Sequence, residues 1–131
     1  MIKVGDGKKF KDIKEVCELF NWDPSKDVNG RPNSKINATF LIEGNYYAWF
    51  PKNAKNWTDA FNDSKTEIKV NNENWSIEMC EKRRKKDKLR KFVTFAENGQ
   101  KGLEFVGVFK LVSGEGKIFI YEIDSTEFDP N

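Results

Sequence analysis

The residues that most constrain the fold run from 81 to 111, EKRRKKDKLRKFVTFAENGQKGLEFVGVFKL. A basic run passes there directly into an apolar strand, a turn that contains glycine and a second apolar strand. Alternation along the second strand gives one face of Leu103, Phe105, Gly107, Phe109 and Leu111, and an opposite face with Val106 and Val108. A strand that is apolar on both faces lies at the centre of a sheet or lines a closed barrel. Gly107 predicts a sharp bend or a close approach of another backbone.

Residues 82–91, KRRKKDKLRK, form a basic run with eight Lys or Arg and one Asp. The whole chain has a formal net charge of only +2, so positive charge is concentrated in this run. Such a density attracts phosphate, with an affinity that falls steeply as salt rises. We predict that eight side chains hold a nucleic-acid backbone: Lys82, Arg83, Arg84, Lys85, Lys86, Lys88, Arg90 and Lys91. A solvated face, or contact with an acidic protein or an anionic membrane surface, is the alternative interpretation.

The composition argues against several kinds of active site. The chain has no histidine and only two cysteines, Cys17 and Cys80. This argues against a disulfide framework, a zinc site built on several cysteines, and a Ser–His or Cys–His catalytic pair. We predict no metal and no cofactor. Cys17 lies on an apolar helical face and is interpreted as a core thiol, whereas the sequence does not decide the role of Cys80.

Length and hydropathy favour a single domain over residues 1–131. No apolar run of the sequence approaches the ~20 residues that span a bilayer. The first residues, MIKVGDGKKFKDI, contain no apolar signal segment. We therefore predict a cytoplasmic protein that does not enter a membrane.

The first part of the chain predicts a short strand near residues 2–4 and then one helix. Asp12 is a candidate N-cap of that helix, with Glu15 three residues on as its capping-box partner. Helical spacing gives one apolar face of Ile13, Val16, Cys17 and Phe20. A polar loop is predicted at residues 23–35.

The remaining elements are mostly strands. They are predicted at residues 38–43, 46–52, 67–70, 90–97, 103–111 and 117–124, the first two joined by a Gly44–Asn45 hairpin turn. Residues 55–62 predict a short helix, because Trp57 and Phe61 are four apart. Residues 75–80 are compatible with a strand or a helix. About six or seven strands and two helices indicate an α+β domain dominated by a strongly curved antiparallel sheet or a small β-barrel.

Two stretches resemble a known group of domains. They are residues 45–57, NYYAWFPKNAKNW, and residues 90–111, RKFVTFAENGQKGLEFVGVFKL, followed by the strand of Tyr121. Together they resemble small PUA-like barrel domains, the group that includes EVE, ASCH and SRA-type modules. More narrowly, they resemble the reader domains of modification-dependent restriction and other anti-phage systems. The shared pattern is a basic residue, an apolar strand ending in Phe-Ala, a Gly-rich turn and Phe-x-Gly-Val-Phe.

The resemblance implies an aromatic pocket for a base flipped out of nucleic acid. Such a pocket stacks the base between aromatic rings and identifies its edge with a few polar groups. The candidate pocket residues are Trp49, Lys52, Asn53, Trp57 and Trp75. Arg90 is a candidate phosphate clamp. The alternative for each tryptophan is a place in the core.

The function that these features predict is non-catalytic binding of nucleic acid, of DNA in preference to RNA, with recognition of a modified or flipped base. An effector domain or subunit is a candidate partner. The alternative is a small protein-interaction module, or a phage or host inhibitor, that binds an acidic partner. A metal-dependent nuclease is a third hypothesis, based on Glu67-Ile68-Lys69 with Asp59 and Asp63. Alternating charge on an edge strand is the better explanation of that triplet.

Overall fold

A computed structural model describes residues 1–20, 39–51, 53–54, 57–97 and 102–130. For 39–41, 43, 53–54 and 57–60 the description covers the backbone. The predicted polar loop at residues 23–35 lies outside the described residues, as does Lys52.

The described residues form two helices and ten strands. The helices are α1 (Ile13–Leu19) and α2 (Ile77–Asp87). The strands are β1 (Ile2–Lys3), β2 (Thr39–Glu43), β3 (Tyr46–Trp49), β4 (Asn53–Ala54), β5 (Trp57–Phe61), β6 (Glu67–Asn71), β7 (Lys91–Glu97), β8 (Leu103–Glu115), β9 (Ile118–Ser125) and β10 (Glu127–Phe128).

Eight strands form one sheet in the order β2-β3-β7-β8-β9-β6-β5-β4, and β1 pairs with β10 in a second, two-stranded sheet. The α+β class is thereby confirmed. The large sheet is mixed rather than antiparallel, because β3 and β7 run parallel. Within the described ranges β2 and β4 are the two ends of the strand order, so the sheet is open and the predicted barrel is not found.

Strand β8 changes faces at Gly107. Its partner strand β7 pairs Thr94 with Gly107 but Phe95 with Phe105, so one residue of β8 is extra at a bulge. Phe105 therefore packs in one apolar cluster and Phe109 in the other, although alternation had predicted a shared face. Gly107 has a φ of +133°, and a Cβ there would lie 2.6 Å from Ile123 Cδ1. The backbone oxygen of Ser125 would lie 3.3 Å from the same Cβ, so the predicted close approach of another backbone is confirmed, together with one of a side chain. The single face predicted for residues 103–111 is wrong.

Strand β7 separates two apolar clusters. Val93 and Phe95 belong to the first, and Phe92 and Ala96 to the second, as the period of a strand requires. Helix α1 packs into the first cluster and α2 into the second through Cys80. The sequence had left the role of Cys80 open, and its side chain is fully buried.

Helix α1 begins as the sequence predicts. The Glu15 amide donates to Asp12 Oδ1 at 3.0 Å, so Asp12 is the N-cap. Val16 and Cys17 are fully buried on the apolar face. Burial raises the pKa of the Cys17 thiol to about 11, which keeps it protonated and unreactive at neutral pH.

The helix predicted at residues 55–62 is wrong, because residues 57–61 form strand β5. Phe61 pairs with Ile68 of β6, and a spacing of four also places two side chains on one face of a strand. Of the undecided residues 75–80, residues 77–80 form the first turn of helix α2, which Ser76 caps by accepting from the Met79 amide at 3.1 Å. Trp75 precedes the helix. The basic run therefore lies largely on a helix.

Candidate nucleic-acid interface

Helix α2 presents an unusual buried stripe to the sheet. Cys80, Arg84 and Asp87 lie three and four residues apart, and Cys80 and Asp87 are at most 1% exposed. Arg84 Nη1 donates to the carbonyl of Gly116 at 2.6 Å. Its guanidinium lies 5.1 Å from the ring centre of Phe119. Arg84 thus anchors the helix on the β8–β9 hairpin.

Asp87 is a buried carboxylate with three partners. Its Oδ2 accepts from the hydroxyl of Tyr121 at 2.7 Å. Its Oδ1 accepts from Nε of Arg83 at 3.0 Å and lies 3.5 Å from Nη1 of Arg90. A buried charge is tolerated when opposite charge and hydrogen bonds surround it. The arrangement draws the two guanidinium groups towards one carboxylate at the end of the helix.

Aromatic rings support both guanidinium groups. Arg83 lies 5.9 Å from the ring centre of Trp75, and Arg90 lies 4.4 Å from that of Tyr47. The side chains of Arg83 and Arg90 remain 33% and 25% exposed. They line a shallow depression of about 320 Å³, the α2 groove, with four other residues, Trp75, Met79, Lys82 and Lys86.

The other cations of the run divide by exposure. Lys85, Lys86 and Lys88 are exposed. Lys82 is 73% exposed and lies 3.5 Å from Glu78, an exposed pair that contributes little to stability. Basic residues in the last turn of α2 also interact favourably with the helix dipole. Helix α2 therefore exposes a cationic surface that the fold does not use for packing.

Lys91 forms an ion pair with a residue of strand β9. Its Nζ lies 3.0 Å from Asp124 Oδ2, and Lys110 Nζ lies 3.2 Å from the other oxygen of the same carboxylate. The hydrogen bond from Lys91, then that from Lys110, lowers the pKa of Asp124 despite partial burial. The same bond to Asp124 raises the pKa of Lys91. Of the eight side chains predicted to hold a nucleic-acid backbone, four thus have a partly buried or buried partner within the fold: Arg83, Arg84, Arg90 and Lys91. Among the described residues, Lys82 has only the exposed Glu78.

Asp124→Asn is expected to lower the free energy of unfolding by about 0.5 kcal/mol at pH 7, the scale of a partly exposed ion pair. A lowered pKa in the folded state gives a contribution that is present above the ordinary carboxyl value of 3.8, declines below that value and is lost as the pH falls through the lower pKa of the folded state. Urea unfolding of both proteins from pH 7 to pH 3 would measure the difference, which should shrink below about pH 4. Glu122→Gln is the matched control on the same strand; a difference that stays constant to pH 3 would contradict the assignment.

The candidate pocket residues lie in different surroundings. Trp49 is 5% exposed, with its ring 4.8 Å from Tyr121 and 5.4 Å from Phe92, so it belongs to the core. Trp75 is half-buried and lines the α2 groove beside Arg83. Lys52 lies outside the described residues.

The backbones of Asn53 and Trp57 lie on the β4–β5 edge of the sheet. Thr58 of β5 pairs with both Asn53 and Asn71, and Asn71 is the last residue of β6. The chain passes from Asn71 through a short turn to Trp75. The backbones of Asn53 and Trp57 therefore lie beside the end of β6 from which the chain continues to the α2 groove.

Three residues that position the arginines of the α2 groove were not among the predicted site residues. Asp87 was counted only as a charge within the basic run, yet its spacing of four from Arg83 and three from Arg90 is a helical ion-pair signal. Tyr47 and Tyr121 come from distant strands, and no local pattern links them to the helix.

No group of three Cys, His, Asp or Glu side chains in the described residues is arranged to hold a metal ion. Among the acids of the nuclease hypothesis, Asp63 is exposed after β5, Glu67 begins β6, and Asp59 is described by its backbone. Within the described ranges no helix is long and apolar enough to cross a membrane.

A comparison with solved structures finds the 5-hydroxymethylcytosine-specific restriction enzyme AbaSI, with a TM-score of 0.65 and 16% sequence identity. The match covers 95% of this chain and 41% of that chain. At this identity the likeness is one of fold. No protein-family model matches the sequence. No curated protein matches it. The predicted resemblance to modification-dependent restriction systems thus has a counterpart in fold.

Proposed function

We propose that this chain is a DNA-binding reader that recognises a modified base, without catalysing a reaction itself. It holds the DNA backbone with the exposed cations of α2 and receives the base beside Trp75. The observation that carries the proposal is the α2 groove, where four cationic side chains surround an aromatic ring that is half-buried. Cations supply affinity for phosphate, and an aromatic face supplies stacking for a base.

The likeness in fold supports a modified base, rather than an ordinary one, as the proposed ligand. AbaSI is specific for 5-hydroxymethylcytosine, and this chain matches less than half of its length. We propose that the chain likewise acts beside an effector domain or subunit that performs any cleavage. We propose that Asn53 and Trp57, together with the sequence-predicted Lys52, complete the base pocket with Trp75. The backbones of Asn53 and Trp57 on the β4–β5 edge, next to the strand that leads to Trp75, support their part of it.

The test is fluorescence anisotropy with matched duplexes that carry cytosine, 5-methylcytosine, 5-hydroxymethylcytosine or N6-methyladenine at one position, and with single-stranded RNA, across a salt series. We expect one modified duplex to bind best. Trp75→Ala should reduce that preference about tenfold, the scale of one stacked base, while Trp75→Phe should retain most of it. Far-UV circular dichroism and urea unfolding of the variants would show that the fold is unchanged.

Three results would count against parts of the proposal. Salt-sensitive binding without any preference would remove base recognition and leave a backbone-binding surface. A preference that Trp75→Ala does not change would move the base pocket away from the α2 groove. No binding at low salt would remove nucleic acid as the partner and favour an acidic protein in its place.

A further inference from the structure

We infer that Arg83 and Arg90, oriented by Asp87, form a specific site for one phosphate of a nucleotide whose base stacks on Trp75. This inference rests on the proposed function and deepens it. A general cationic surface attracts any polyanion. Two guanidinium groups that are fixed on a shared carboxylate hold their N–H donors in set directions and can therefore recognise a single phosphate by its geometry.

The geometry leaves donors unused. Arg83 gives only its Nε–H to Asp87 among the described residues, and Arg90 turns Nη1 towards the same oxygen. A guanidinium carries five N–H donors in a fixed plane. The remaining donors belong to side chains that line the α2 groove and are one quarter to one third exposed. A phosphate oxygen in the groove would meet oriented donors at little entropic cost.

Asp87 and Tyr121 act as positioning residues. Asp87 is 1% exposed, and the Tyr121 hydroxyl fixes its second oxygen at 2.7 Å. Because Tyr121 is itself packed against Trp49 and Phe92, the carboxylate is fastened to the core of the sheet. The two arginines therefore cannot follow a ligand freely, which favours selection by shape over simple attraction.

The charge balance favours an anion. The groove contains Lys82 and Lys86 as well as the two arginines, against two carboxylates, the buried Asp87 and the exposed Glu78 that lies 3.5 Å from Lys82. Asp87 thus orients the guanidinium groups without neutralising the groove. A phosphodiester of the DNA backbone carries one negative charge, and the phosphate monoester of a free nucleotide carries about −1.5 to −2 at neutral pH; both suit this excess. Trp75 and Met79 provide an apolar wall on which a planar base can rest.

The test is a titration of tryptophan fluorescence with deoxycytidine monophosphate, deoxycytidine and inorganic phosphate, with Trp75→Phe to assign the signal. The nucleotide should bind at least about tenfold more tightly than the nucleoside or free phosphate, since it uses both parts of the site. The Arg83→Lys/Arg90→Lys double variant keeps the charge but loses the planar donors, and should weaken nucleotide binding about tenfold.

A matched control changes charge without touching the groove. Lys85→Gln/Lys88→Gln removes two exposed cations of the same run and should alter nucleotide affinity less than about twofold, while reducing salt-sensitive duplex binding. Equal affinity for nucleotide and nucleoside, or nucleotide binding that survives the double arginine variant, would overturn the phosphate site. Duplex binding with a modified-base preference that persists in that variant would do so as well, while leaving the proposed function intact. If the wild-type protein shows neither tighter nucleotide binding nor a modified-base preference in duplex DNA, the phosphate site and the proposed function are both overturned.

Discussion

Asp87→Ala is expected to lower the free energy of unfolding by about 3 kcal/mol, because it removes a buried carboxylate that three groups share. The variant removes the hydrogen bond that the Tyr121 hydroxyl donates to Asp87 and leaves Arg83 and Arg90 close together without the opposite charge. Removing one partner of a buried hydrogen bond or ion pair costs more than the attraction itself, because the remaining groups stay desolvated. Urea unfolding followed by far-UV circular dichroism at pH 7 would measure the change.

Glu78→Ala is the matched control for this experiment. Glu78 and Asp87 are both acids on α2 paired with a cation four residues away, but the side chain of Glu78 is 79% exposed and that of Asp87 is 2% exposed. The exposed pair should contribute about 0.3 kcal/mol. Similar small losses in the two variants would show that Asp87 does not organise the end of the helix. Asp87→Asn, which retains an acceptor for Tyr121, should fall between them.

Lys82→Gln/Lys86→Gln is expected to weaken binding to duplex DNA by about 50-fold at 0.1 M salt. Each phosphate contact contributes about 0.9 to the slope of log K against log salt, so the double variant should lower the magnitude of the slope by about 1.8. Both lysines line the α2 groove, and neither is needed to hold the helix on the sheet. Anisotropy titrations at salt concentrations from about 50 to about 300 mM would give the change in affinity and the change in the salt slope.

Lys3→Gln/Lys69→Gln makes the same change in net charge away from the proposed interface. Lys69 is exposed between the buried residues Ile68 and Val70, so it lies on the face of β6 opposite the cluster that contains α2. Screening limits its effect on DNA bound at α2 to about twofold. If the control and the groove variant weaken binding equally, the interaction depends on net charge and not on α2.

Arg84 illustrates why a basic run cannot be treated as one surface. The sequence predicts the same contact with a nucleic-acid backbone for Arg84 as for its neighbours. Replacing the whole block Arg83–Lys86 by alanine would then be the natural test of DNA binding. Arg84 donates to Gly116, 32 residues away, and packs on Phe119. Its removal would disturb the attachment of α2, so weaker binding in such a block variant would not isolate phosphate contacts. Substitutions confined to the exposed lysines avoid this problem.

The local elements were accessible from the sequence because their causes are local. Asp12 caps α1 with its own side chain, and the turn at Gly44–Asn45 joins two strands through adjacent residues. The prediction was wrong where one pattern fits two structures. The spacing of Trp57 and Phe61 is equally compatible with a helical turn and with one face of a strand. Pairing with β6 decided between them.

The sequence by itself determined the α+β class, the concentration of positive charge in residues 82–91 and the apolar character of β7 and β8. Only the tertiary structure decided the parallel pairing of β3 with β7, the change of face at Gly107 and the division of the basic run into anchors and exposed cations. The physical reason is distance along the chain. Composition and periodicity report neighbouring residues, whereas Asp87 becomes a buried organiser only through Tyr121, 34 residues further on.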